Sequence, residues 1–114
     1  MKVHDLKDKQ GRVFAFEVPN TLLTRRGVCR LIRAIPGAHL LSGRAELRQE
    51  EFCTFEVQGQ KFKAWEPWGD SSRYWIGPEP PGWCEQISVV RDAFIRQTFL
   101  GSILGNQRTQ RTPR

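Results

Sequence analysis

Four large aromatic side chains and a set of interleaved polar ones fall within Trp65-Glu66-Pro67-Trp68-Gly69-Asp70-Ser71-Ser72-Arg73-Tyr74-Trp75. Rigid rings beside polar groups on a loop make a recognition surface, because the rings supply contact area and the polar groups supply orientation. Trp65, Trp68, Asp70, Arg73 and Trp75 are therefore candidate partner-binding residues. Trp68, Arg73 and Trp75 would anchor the contact, with Asp70 shaping the loop. The alternative is that the rings cap the edge of the core while Asp70 and Ser71 make a turn.

A second candidate is the run Arg26, Arg30 and Arg33, flanked by Arg25, in a segment without acidic residues. Guanidinium groups at helical spacing suit phosphates, a carboxylate-rich partner or anionic lipid. The competing reading is the solvated face that any amphipathic helix must carry. Arg108, Arg111 and Arg114 supply half of the net charge of +6 and leave an ordinary +3 on residues 1–106. The arginine tail would add a loose, salt-sensitive contact to nucleic acid.

Covalent chemistry has one candidate. Cys84 is expected in the first turn of a helix, where free N–H groups lower a thiol pKa. No base accompanies it in sequence, since His4 and His39 are remote. Cys29 and Cys53 fall on or beside apolar faces and read as core residues. No C-x₂-C, H-x₃₋₅-H or H-E-x-x-H pattern offers a metal site, and no phosphate-binding or dinucleotide glycine motif is present. Glu50 and Glu51 point to opposite faces if extended and do not converge on one substrate. No cofactor, metal or catalytic residue is expected.

These residues need elements to position them. Val3–Leu6 and Arg12–Val18 flank Lys7-Asp8-Lys9-Gln10-Gly11 and read as a hairpin, ended by Pro19. A helix follows, with Asn20, Thr21 or Thr24 as its N-cap. Its apolar stripe is Val28, Leu31, Ile32 and Ile35, the arginines lie opposite, and Pro36-Gly37 stops it. His39–Ser42 is a short strand candidate. Arg44–Glu51 reads equally as loop, helical turn or strand entry.

Phe52–Val57 and Lys61–Trp65 enclose Gln58-Gly59-Gln60 as a second hairpin. Cys53, Phe55 and Val57 share one face, as do Phe62 and Ala64. Without a bulge, Trp65 and Trp75 cannot share the core with Phe62 and Tyr74. Arg73–Ile76 is the last strand, and the segment from Gly77 to Gly82 is a stiff proline connector. The final helix starts near Trp83, with Trp83, Ile87, Val90 and Phe94 as its buried stripe and Asp92–Arg96 as an ion pair.

The expectation is an α+β fold in ββαββββα order. A mostly antiparallel sheet of five to six strands carries two amphipathic helices on one face. Residues 1–105 form a single domain, and 106–114 a disordered basic tail. The apolar runs are too short to cross a membrane. The polar N-terminal segment and three scattered cysteines suit a cytoplasmic protein. The expected function is a small non-enzymatic interaction module with a protein partner. The first alternative is nucleic-acid binding through Arg26, Arg30 and Arg33. The second is an enzyme with a reactive cysteine. A homodimer through an edge strand or the aromatic loop is a further option.

Overall fold

The computed structural model describes residues 3–21, 23–67 and 72–96. In chain order the elements are β1 (His4–Lys7), β2 (Val13–Pro19), α1 (Arg25–Arg33) and β3 (Ala38–Leu40). A 3₁₀ turn (Arg44–Arg48) follows, then β4 (Glu51–Val57), β5 (Gln60–Trp65) and β6 (Arg73–Pro78). A second helix, α2, covers 87–96. The expected tail Asn106–Arg114 and the candidate residues Trp68 and Asp70 lie outside the described residues.

Six strands form one antiparallel sheet in the order β1-β2-β6-β5-β4-β3, so the fold is α+β. Two hairpins build most of it. In the first, the Asp8 carboxylate accepts from the backbone N–H groups of Gln10 and Arg12, both at 2.9 Å. In the second, Val57 pairs directly with Gln60, so the connection is the two-residue turn Gln58-Gly59 and Gln60 is already strand. Gln58 and Gly59 have φ of 52° and 82°. Two successive positive φ values make the turn whose twist matches the flanking strands.

Alternation sorts the sheet into two faces. Phe16, Val18, Tyr74, Ile76, Phe62, Ala64, Cys53, Phe55 and Val57 are buried in one cluster with Val28, Ile32 and Ile35 from the α1 region and Ile87, Val90 and Phe94 from α2. Phe16 meets Phe94 edge to face at 5.3 Å, which ties β2 to α2. At the sheet's edge Arg91 of α2 forms a forked pair with Asp5 of β1, at 2.6 and 2.9 Å. The bulge between Glu51 and Cys53 lets Phe52 also turn inward, against Tyr74 at 5.2 Å.

Several sequence expectations need correction. β6 runs to Pro78, so Gly77 and Pro78 belong to the strand rather than to the connector. Proline is tolerated there because β2 pairs with β6 only as far as Ile76, leaving the Pro78 nitrogen without a strand to serve. Helix α2 begins after Trp83, which is 45% exposed and holds the Arg12 guanidinium 5.0 Å from its ring. Asp92 meets Arg91 at 4.0 Å in place of the expected partner Arg96.

Candidate anion-binding site

Helix α1 does two jobs because its two stripes are out of phase. Thr24 caps it by accepting the Gly27 N–H at 3.0 Å, so Thr24 is the N-cap among the three sequence candidates. Val28 and Ile32 enter the core from one side. Arg26, Cys29, Arg30 and Arg33, at i, i+3, i+4 and i+7, line the other. Leu40 of β3, Ser42 and Gly43 beyond it, and Leu47 of the 3₁₀ turn form the opposite wall. The open cleft between the two walls has a volume of about 380 Å³.

The electrostatics of this pocket are one-sided. Among the described residues its lining holds three guanidinium groups and no carboxylate. Among the described residues, none of the three arginines makes an ion pair. Glu46 of the 3₁₀ turn is engaged with the backbone, accepting the Gly43 N–H at 2.8 Å. Arg30 and Arg33 lie in the last turn of α1, whose carbonyl end carries only about half a negative charge. That end cannot neutralise three full positive charges.

Arg25, adjacent in sequence, is separated from this group by the helical twist. It donates to Glu66 Oε1 at 3.0 and 2.7 Å and to the carbonyls of Leu47 and Gln49 at 2.8 and 2.6 Å. Its guanidinium also lies 5.0 Å from the Phe52 ring centre. Arg25 is thus a tie between α1, the 3₁₀ turn and the segment after β5. It is not available as a ligand group.

Behind the pocket lies a cluster of small polar groups. The Thr54 N–H donates to Ser42 Oγ at 3.1 Å. Ser42 and the Cys53 and Cys29 thiols are neighbours there, close enough to shift one another's titration. Cys53 lowers the pKa of Cys29, burial opposes this, and the nearby Arg33 charge reinforces it. Cys53, beside Cys29 and buried, is pushed strongly upward. Cys29 is only half-buried and lines the cavity. It packs against the core cluster, as the sequence reading has it, and also faces the cavity, because position 29 falls within the 26–30–33 stripe.

Cys84 behaves opposite to its sequence expectation. Burial raises its pKa, outweighing hydrogen bonds from the Ile87 and Gln86 backbone. Among the described residues no group of three or more metal-ligating side chains converges.

The aromatic candidates divide. Trp65 and Trp75 face each other across β5 and β6 with ring centres 6.3 Å apart, on the sheet face opposite the core. Lys63 Nζ lies 5.5 and 5.9 Å from the two rings and also pairs with Glu51 at 3.0 Å. Arg73, expected as a contact anchor, is held by Glu17 at 3.2 Å. The Trp65 indole N–H is enclosed and has no acceptor among the described residues. The positive charges of Lys63 and Arg73 are thus each matched, unlike those of the α1 pocket.

No family model matches the chain, and no curated protein or solved structure matches it. Among the described residues no helix is long and apolar enough to cross a membrane.

Proposed function

We propose that the protein is a small nucleic-acid-binding module that takes phosphate groups of a single strand at Arg26, Arg30 and Arg33. The observation that carries this reading is the convergence of three arginines, without an ion-pair partner among the described residues, on one pocket. A volume of about 380 Å³ is near the lower end for small-molecule sites and suits one nucleotide unit. Leu40 and Leu47 add an apolar wall against which a base or sugar can lie. Guanidinium forks match phosphate oxygens in pairs, a geometry that lysine does not reproduce.

The test is a titration of the full chain with short mixed-sequence RNA and DNA strands at two salt concentrations. Three phosphate contacts on a single strand make affinity fall roughly twentyfold for a fourfold rise in salt. Replacing Arg26, Arg30 and Arg33 together by glutamine should remove most of the binding and most of that slope. Equal binding by the triple variant would overturn the reading.

Protein capture at the Trp65–Trp75 face is the second reading. It is favoured by the paired rings of Trp65 and Trp75 on the sheet face opposite the core. Because Lys63 and Arg73 are already matched by Glu51 and Glu17, binding there should depend only weakly on salt.

A further inference from the structure

The same pocket holds a thiol, and its surroundings are those of a reactive one. Cys29 lies between Arg26 and Arg30 in the stripe, with Arg33 one turn on, and shares their cavity. Among the described residues, the charged and titratable groups facing it are those three arginines on α1 and the Cys53 thiol on β4. β3 and the 3₁₀ turn contribute Leu40 and Leu47 to the wall, and the segment between them contributes Ser42 and Gly43. Ser42, held by the Thr54 N–H, and the Cys53 thiol lie beside the Cys29 sulfur on its inner side.

We propose that Cys29 is a modification site at which anionic low-molecular-weight disulfides attach, guided by Arg26, Arg30 and Arg33, so that thiolation closes the pocket to nucleic acid. The inference rests on the reading of the pocket as an anion site. In the step, Cys29 loses its proton to water and its thiolate attacks one sulfur of the disulfide. A new S–S bond forms to Cys29, the original S–S bond breaks, and the departing thiolate takes up a proton from water. Cys29 is oxidised and half of the disulfide is reduced, so electrons balance without a further reagent. Carboxylates on the attached half then lie against the arginines and compete with phosphate. Cys53 acts through Cys29 as a positioning residue, beside its sulfur.

The experiment treats the full chain with oxidised glutathione, which is anionic, and with cystamine, which is cationic. Adducts are mapped by mass spectrometry at neutral pH. Cys29 should be modified by glutathione roughly tenfold faster than Cys84, as expected for a thiolate in a cationic setting against a thiol raised by burial. The glutathione-to-cystamine rate ratio at Cys29 should fall by about tenfold in the Arg26/Arg30/Arg33→Gln variant, because the attracting charge is gone. Using the ratio within each protein cancels the difference in leaving group. Cys53→Ala should move the pH midpoint of Cys29 modification upward, and Cys53→Ser, which restores a donor, should bring it back. Circular dichroism confirms that each variant is folded, and the wild-type rates stand without any variant.

Oligonucleotide binding measured on the same samples separates the two readings. Binding with no kinetic advantage of Cys29 over Cys84 overturns the thiol inference and leaves the pocket's function standing. Fast Cys29 modification with an unchanged ratio in the arginine variant overturns the anionic class of reagent. Loss of oligonucleotide binding after glutathione attachment supports the inference, and retained binding overturns the proposed closure.

Discussion

Gly77 lies where Trp75 folds its indole back along its own strand. A Cβ at Gly77 would sit 2.7 Å from both the Ala15 Cβ and the Trp75 ring edge. No side chain fits without moving both the indole and the neighbouring strand β2, so Gly77 fixes how the tryptophan covers β6. Gly77→Ala should destabilise the protein by about 2 kcal/mol, the usual cost of overpacking, as read by urea denaturation. A change near zero would mean that the ring and β2 both give way at no cost. At the α1 pocket the same scale of argument explains why neighbours of one residue type differ. Arg25 and Arg26 are adjacent, yet a helical step of about 100° sends one to Glu66 and the other to the cavity.

At the scale of elements, the first hairpin depends on one carboxylate. The backbone N–H of Arg12 leads the groups that bind Asp8 and hold its carboxyl below the usual carboxylate range. The sign follows from proton binding: the unfolded chain takes up this proton at a higher pH than the folded one. The stabilisation is present above the ordinary carboxylate pKa and is lost as pH falls through the lower folded value. Wild type should therefore lose more stability between neutral and acidic pH than Asp8→Ala does, in paired denaturation curves. An equal loss in both proteins would remove Asp8 from the turn's energetics. The second hairpin needs no such carboxylate, because positive φ at Gln58 and Gly59 sets its twist directly.

Across the whole molecule, Arg25 connects parts that the sheet alone does not join. Its forked bond to Glu66 and its two bonds to carbonyls tie α1 to the 3₁₀ turn and to the segment after β5. Because the 3₁₀ turn carries Leu47, this tie also fixes one wall of the pocket. Arg25→Ala leaves Glu66 without its charged partner and two carbonyls short of a donor. It should cost about 2 to 3 kcal/mol, in line with charge-assisted hydrogen bonds that are partly buried. The oligonucleotide affinity of the folded Arg25→Ala protein should also drop, though less than in the triple pocket variant. Affinity equal to wild type would show that the wall holds its shape without this tie.

Periodicity in the sequence determined both hairpins, the stripe of α1 and the buried set of the sheet, because alternation and the helical repeat are local properties. The arginine stripe was legible for the same reason. Cys29 was in the same register but was read as apolar, since a half-buried thiol and a core thiol look alike until the opposite wall is known. Tertiary structure alone decided that Leu40, Ser42, Gly43 and Leu47 supply that wall. It also brought Cys53 from β4 against Cys29, and set the strand order that places β6 between β2 and β5. Trp65 and Trp75 alternate away from the core in sequence, but only their cross-strand register makes them a pair. Pairing of strands and closure of a pocket depend on contacts between distant segments, and no local pattern encodes which distant segment arrives.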